Sequence, residues 1–209
     1  MSIVPVLILC GLIITVVFYT LRNRSAPMPS SPGSLLLIER ALHDLSCDTG
    51  GARIYDLGSG WGNAVLRISK RYPEVRVCGI ENSPLPYAVS LVLKVMLRRK
   101  NLRLIYRNFF RVDIKDADAV ICYLDPAQSA GVEKKILSEC REDTAVISNF
   151  FSLPGLTRIK EYRTRDIWGT GILVYRSRPL RKIQKVSGIN TTHHSHPHPH
   201  PLKQNRGVH

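Results

Sequence analysis

Apolar and polar residues alternate along residues 35–176 in blocks that predict strands and helices in turn. Short, continuous apolar runs predict buried strands, and the segments between them have apolar residues at helical spacing. The predicted strands are Arg53–Leu57, Val75–Ile80, Leu102–Tyr106, Ala119–Leu124 and Thr144–Asn149. The predicted helices are Leu35–Leu45, with Ser34 as its N-cap, Trp61–Arg71, Pro86–Arg99 and Val132–Cys140. Ile159–Asp166 and Gly171–Arg176 predict a closing hairpin.

This order of elements predicts an α/β fold. Strands that alternate with helices form a parallel sheet, and a terminal hairpin adds an antiparallel edge. We therefore expect a Rossmann-like, doubly wound, mostly parallel sheet of seven strands. Ligands bind such sheets outside the carboxyl ends of the strands, so polar residues at strand ends are the first candidates for a functional site.

The N-terminal segment is uncharged and apolar from Ile3 to Thr20. Its length predicts a single transmembrane helix, and a cleaved signal peptide is the weaker alternative because no basic residue precedes the run. Arg22 and Arg24 follow directly and predict that the rest of the chain lies on the cytoplasmic or an equivalent side of the membrane.

Four segments are expected along the chain. Residues 1–24 form the membrane anchor with its basic flank, and residues 25–34, rich in Pro and Ser, form a flexible linker. Residues 35–176 form the folded domain. Residues 177–209 carry no Asp or Glu and end in a His/Pro-rich stretch, which predicts a basic, disordered tail.

Charge and cysteine content narrow the possible partners only in part. The net charge of +14 over 209 residues suits nucleic acid, an anionic membrane or an acidic protein. The five cysteines include no CxxC pair, and proline interrupts the histidines of the tail. Neither a disulfide framework nor a metal site is predicted.

The glycine cluster after the first predicted strand is the central chemical signal. Asp56 precedes Gly58, Gly60 and Gly62, and the next strand ends at Glu81, at the spacing needed to hydrogen-bond ribose hydroxyls. A nicotinamide dinucleotide would use similar geometry, but an acidic residue beside the turn would repel a pyrophosphate. The same acidic residue suits the cationic methionine moiety of S-adenosylmethionine, which is therefore the expected cofactor.

The string DLGSGWG, the acidic GIE that ends the second strand and the later RNFF together resemble class I methyltransferases. More narrowly, YDLGSGWG, ENSPLPY, CYLDP and SNFFSLPG occur in this order. They resemble the small membrane-anchored protein-lysine methyltransferases related to those that modify the adenine nucleotide translocase and the ATP synthase c-subunit. The resemblance covers residues 35–176.

The resemblance implies a role for residues at four places. The residues that would surround the methionine end of the cofactor are Asp56, Gly58, Ser59, Gly60 and Gly62. Glu81 would bind the ribose and Asn108 would lie beside the adenine, where many relatives have Asp. Phe109 and Phe110 would cover the adenine ring, although packing in the core after a strand is an equal alternative.

Asp125-Pro126 follows the fourth strand, where the methyl acceptor is expected to enter. Some amino-methylating enzymes have an Asn/Asp-Pro-Pro-aromatic string here, and its second proline and aromatic residue are missing from this chain. This absence argues against a base or amide nitrogen as the acceptor. Asp125 and Tyr123 are the catalytic candidates, with Asp125 able to orient a lysine ammonium or simply to cap a turn.

Three functions follow from these residues. The first is N-methylation of a lysine in a protein at or near the membrane. The second keeps the cofactor but has a lipid, a small molecule or a nucleic acid as the acceptor. The third is a membrane-tethered binding module without catalytic activity.

Overall fold

The structure is a computed structural model that describes residues 3–23, 30–149, 151–163 and 171–177. Half of the predicted linker and nearly all of the predicted tail lie outside these residues. So do Arg24, Phe150 and the connection between the two strands of the closing hairpin, including the predicted strand end at Asp166.

Seven strands form one mixed sheet, as predicted. Their order across the sheet is β3-β2-β1-β4-β5-β7-β6. The strands are β1 (Arg53–Leu57), β2 (Arg76–Glu81), β3 (Leu102–Tyr106), β4 (Ala119–Cys122), β5 (Ala145–Asn149), β6 (Thr157–Arg163) and β7 (Gly171–Arg176). The first five are parallel, whereas β7 pairs antiparallel with both β5 and β6. The sheet therefore has the Rossmann-like arrangement with an antiparallel edge.

Among the described residues, five helices flank or precede the sheet. They are α1 (Val4–Asn23), α2 (Pro32–Asp44), α3 (Asn63–Arg71), α4 (Pro84–Met96) and α5 (Ser129–Glu139). Each predicted helix is present, with ends shifted by up to three residues. At α2 the cap is Ser31 rather than Ser34, because Pro32 occupies the first turn and the Ser31 hydroxyl accepts the Ser34 N–H at 3.1 Å.

Two apolar clusters hold the layers together, one on each face of the sheet. The first cluster joins α2 and α3 to strand residues such as Ile54, Ile121 and Ile147. The second joins α5 to the opposite face, where residues such as Val120 and Val146 lie. The side chains of a strand alternate between faces, so these fully buried strands supply both clusters at once.

One face of the sheet is left uncovered at β1, β2 and β3. The described residues between β3 and β4 form only a 3-10 turn, Phe109–Arg111, instead of a helix. An open groove of about 1380 Å³ results. Its lining includes Tyr55 and Ile105, and it includes the basic residues Arg53, Arg76, Arg103, Arg107 and Arg111.

The uncharged N-terminal run folds into helix α1, which contacts α4. Within the part of the chain that the structure describes, no helix is both long enough and apolar enough to cross a membrane. The predicted transmembrane helix is therefore not supported, although the predicted helical conformation is correct. The location of the domain on the cytoplasmic side of a membrane stays a prediction.

Candidate cofactor and methyl-acceptor site

A glycine-rich turn connects β1 to α3 at the carboxyl edge of the sheet. Gly58, Gly60 and Gly62 all have positive φ, at 79°, 53° and 83°, a region that side chains rarely tolerate. A Cβ on Gly58 would lie 2.8 Å from Leu124, and one on Gly62 would lie 2.8 Å from Ser90 Cβ. A Cβ on Gly60 would meet nothing within 4 Å, so open space remains beside the middle of the turn.

Glu81 stabilises this turn through its carboxylate. The Gly60 N–H donates to Oε2 at 2.8 Å, and the N–H groups of Asn82 and Ser83 donate to Oε1 at 2.9 and 2.7 Å. The Glu81 side chain is nearly buried, with 7% of its surface exposed. Each carboxylate oxygen can accept more than one hydrogen bond, so the three bonds leave room for ligand hydroxyls.

Asp56 lies in β1, two residues before Gly58, and is 4% exposed. Burial, and secondarily the negative charge of Glu81, raise the pKa of the Asp56 carboxyl to about 7. A cation bound beside this pair would relieve the cost of two negative charges in a buried place. The fit is therefore to a positively charged ligand group, as the sequence predicts.

Ser59 adds a further unsatisfied group to the turn. Its Oγ is buried without a hydrogen-bond partner and would lie 2.9 Å from a Cβ built on Gly79. Because an unpaired buried hydroxyl is costly, a ligand or water partner is expected at this position. Contact of Ser59 with the cofactor stays a prediction.

Asn108, Phe109 and Phe110 follow β3 at the same edge of the sheet. Asn108 caps the 3-10 turn, since its Oδ1 accepts the Phe110 N–H at 2.9 Å. Phe109 packs partly buried against the second core cluster, and Phe110 is 43% exposed, with the two ring centroids 4.3 Å apart. Contact of Asn108 and Phe109 with adenine stays a prediction, and Phe110 is the more exposed of the two rings.

The predicted acceptor residues lie at the end of β4. Tyr123 is half-buried, and burial raises the pKa of its hydroxyl, which stays protonated at neutral pH. The Asp125 carboxylate accepts the Ala127 N–H at 2.7 Å and so caps the 3-10 turn Pro126–Gln128. This is the capping alternative that the sequence allows, and the carboxylate remains partly exposed.

Asn149, at the carboxyl end of β5, is a polar residue that the sequence analysis did not single out. Its side chain is 1% exposed, and neither Nδ2 nor Oδ1 has a hydrogen-bond partner. Ile54 and Ile147 belong to the same core cluster, so Asp56 and Asn149, each two residues further along its strand, lie on that same face. In the sequence, the only signal for Asn149 as a site residue was its place as a polar residue in the SNFF string at the end of the predicted strand.

Among the described residues, no cluster of three or more His, Cys, Asp or Glu could hold a metal ion. The four described cysteines of the domain, Cys47, Cys78, Cys122 and Cys140, are free and buried. The histidines of the predicted tail lie outside the described residues.

Two glycine substitutions separate folding from ligand binding at the turn. Gly60→Ala is expected to cost about 1 kcal/mol of stability from its positive φ. Its greater effect is loss of S-adenosylmethionine affinity, because the new methyl group points into the open space. Gly62→Ala is expected to lower the melting temperature more, since its Cβ also clashes with Ser90.

Thermal unfolding and calorimetric titration of both variants measure these effects. The matched control is Gly62→Ala with Ser90→Gly, which removes the clashing atom and should recover part of the lost stability. Wild-type affinity in Gly60→Ala would show that the open space is not where the ligand lies.

Solved structures with this arrangement share the fold. An RNA methyltransferase from Salinibacter ruber in complex with S-adenosyl-L-homocysteine has a TM-score of 0.62 and 22% identity, over 72% of this chain and 94% of that one. An rRNA methylase from Streptococcus thermophilus has a TM-score of 0.55 and 13% identity, over 73% and 99%. A variant of MtNAS in complex with S-adenosylmethionine has a TM-score of 0.60 and 16% identity, over 71% of this chain but only 63% of MtNAS.

The fold and the glycine turn define a class I, S-adenosylmethionine-dependent methyltransferase domain. The model of the ANTKMT methyltransferase domain matches residues 56–160, half of the chain, and the chain belongs to this family. No curated protein sequence matches it significantly. S-adenosylmethionine is the cofactor that the domain uses, and the buried acidic pair, the open space at Gly60 and the unpartnered Ser59 hydroxyl fit it.

Proposed function

We propose that the chain transfers a methyl group from S-adenosylmethionine to the side-chain amine of a lysine in a protein. The observation that carries this proposal is the buried amide of Asn149, which has no partner at the end of β5. It lies on the same face of the sheet as Asp56, with β4 and its Tyr123 end between them. A primary amine can donate to the Asn149 Oδ1 and thereby satisfy it.

The cofactor residues would act by binding and orientation. Glu81 would accept hydrogen bonds from the ribose hydroxyls, while Asp56 would favour the positively charged methionine end. When bound, the cofactor supplies an electrophilic methyl group on a sulfonium, which leaves as a neutral thioether and is therefore already a good leaving group. The protein therefore needs to align the acceptor and exclude water rather than activate the methyl group.

The acceptor residues would hold the lysine in line with that methyl group. The partly exposed Asp125 carboxylate attracts the incoming ammonium, which must become neutral before it can act as a nucleophile. The oxygen of Asn149 and the neutral hydroxyl of Tyr123 can then accept hydrogen bonds from the amine. The missing Pro-Pro-aromatic string supports an amine rather than a planar base or amide nitrogen as the acceptor.

A nucleic acid is the second candidate acceptor, and one feature favours it. The groove on the uncovered face of the sheet is lined by Arg76, Arg103, Arg107 and Arg111 among others. Phosphates bind such arginines through charge-assisted hydrogen bonds. In this alternative the groove would hold the backbone of the nucleic acid while a base reached the site.

Methyl transfer to lysine can be tested with radiolabelled S-adenosylmethionine. The purified chain is incubated separately with a membrane-protein fraction and with total RNA, and the products are hydrolysed and analysed for methyl-lysine and methylated bases. We expect label in methyl-lysine, and a loss of about 10-fold or more in turnover for Asn149→Leu with unchanged cofactor affinity.

Asn149→Asp is the control that separates orientation from folding. Asn149→Asp keeps an acceptor oxygen and should retain more activity than Asn149→Leu, which is close in size but cannot hydrogen-bond. Label in RNA bases alone would replace the lysine proposal with the nucleic acid alternative. Label in neither fraction, with cofactor bound, would contradict both.

A further inference from the structure

Helix α4 exposes an apolar face to solvent. This outer face consists of Ala88, Leu91, Val92, Val95 and Met96, which follow each other at helical spacing of three and four residues. Met96 is 71% exposed and Val95 is 68% exposed. A contiguous apolar strip of this kind on a protein surface marks an interaction site.

The side of α4 that faces the protein is formed around the buried residues Pro86 and Ser90. Ser90 is fully buried, and its hydroxyl donates to the Tyr87 carbonyl at 2.8 Å. On this side α4 contacts α3, β2 and β3. The apolar residues of the outer face therefore do not pack in the core of the domain. Their exposure indicates another role.

Positive charge surrounds the end of the outer face. From residue 82 to residue 102 the chain contains four Lys or Arg, all between residues 94 and 100, and no Asp or Glu. Arg98 and Lys100, just beyond α4, are exposed, and Lys94 is partly exposed on the last turn. This charge is complementary to an anionic partner.

Helix α1 extends the apolar surface, since it contacts α4. Its own exposed apolar side chains include Val4, Val6, Leu7, Ile14, Val17, Phe18 and Leu21. The two adjacent helices thus present an apolar surface with a basic border. The phosphates of a nucleic acid would pair with the basic residues but would not bury the exposed apolar side chains.

We propose that the outer face of α4 rests in the interfacial layer of an anionic lipid bilayer. Apolar side chains of a surface helix enter the boundary between headgroups and acyl chains, while flanking Lys and Arg bind acidic headgroups. Contact of this kind lies along the bilayer surface and requires no helix to cross it. It is independent of the proposed lysine acceptor.

The contact has a consequence for the active edge. Helix α4 begins at Pro84, three residues after Glu81, so its N-terminal end lies at the edge of the sheet that carries the glycine turn. A bilayer against the outer face would therefore extend towards the edge of the sheet that carries the glycine turn.

A fluorescent probe on the outer face tests the contact in the full chain. Met96→Cys is labelled with an environment-sensitive dye in a Cys10→Ser background, which removes the exposed native thiol. The labelled protein is mixed with vesicles of neutral lipid, or of neutral lipid with phosphatidylglycerol, each containing a bilayer-embedded quencher. The control carries the dye at Ile159→Cys, an apolar position on β6 that is 41% exposed.

We expect a blue shift and quenching at position 96 with anionic vesicles, a smaller change with neutral vesicles, and none at position 159. Adding Arg98→Gln and Lys100→Gln should weaken the response to anionic vesicles by about 10-fold or more. Equal, water-like emission at both positions with either vesicle would overturn the proposal. A response to single-stranded RNA that replaces the vesicle response would also overturn it and assign the surface to nucleic acid.

Discussion

Replacing Glu81 by Gln is expected to weaken S-adenosylmethionine binding by about 100-fold, because hydrogen bonds to a charged acceptor each contribute about 1.5–3 kcal/mol. The change preserves the size of the side chain but replaces one acceptor oxygen by an NH2 group. That group would face the N–H of Gly60, or those of Asn82 and Ser83. Both the ribose contact and the conformation of the glycine turn are therefore affected.

Isothermal titration calorimetry of the folded variant measures this loss. Glu39→Gln is the matched control, since it makes the same chemical change in a carboxylate of α2 that pairs with Arg67 of α3. We expect wild-type affinity in that control. Tight binding by Glu81→Gln would show that the ribose is held elsewhere and that Glu81 serves only the turn.

Cofactor affinity is expected to increase with pH because of Asp56. Its pKa of about 7 in the ligand-free protein means that the carboxyl is mostly protonated at pH 6 and below. A cationic methionine moiety favours the ionised form, so binding must release the proton. We predict that the dissociation constant rises by roughly 10-fold for each pH unit well below 7 and levels off above it.

The same carboxyl should change folding stability in the opposite direction. The folded pKa is raised above the unfolded value of 3.8, so the folded state binds more protons between these values. Stability contributed by Asp56 is therefore present below about pH 4 and lost as pH rises to about 7, by about 4 kcal/mol in total. The backbone N–H and ammonium of Lys115 lower the pKa of Asp113, and hydrogen bonds from Tyr55 and Arg53 lower the pKa of Asp116, so these two carboxyls act in the reverse sense.

Asp56→Asn isolates both effects of the carboxyl. Its cofactor affinity should be weaker than that of the wild type at pH 8 and nearly independent of pH. The unfolding free energy of the wild type minus that of the variant is measured by denaturant titration from pH 4 to 8. This difference should decrease as the pH rises. A pH-dependent affinity that survives in Asp56→Asn would assign the titration to another group.

The sequence predicts the framework of the domain because the deciding interactions are local. Runs such as Ala119–Cys122 are apolar on both faces, as a buried parallel strand requires, and the glycines of the turn are needed for positive φ. The helix ends were less certain, because caps depend on single side chains. At α2 a proline in the first turn moved the cap from Ser34 to Ser31.

Two features could not be predicted because they depend on neighbouring elements. Periodic apolar residues in α4 indicate a helix but do not show which side faces the sheet, and here Ser90 faces inward while Val95 and Met96 face out. Asn149 ends a strand like many polar residues do. Only its complete burial without a partner distinguishes it as a candidate binding group.

A crystal structure of the chain grown with S-adenosylhomocysteine tests the central claim most directly. We predict that the ligand lies along the glycine turn beside Gly60, with its ribose hydroxyls within hydrogen-bond distance of the Glu81 carboxylate. The methionine end would lie on the Asp56 side of the turn. Ligand density elsewhere on the sheet, or none at saturating ligand with the turn as described, would contradict the account.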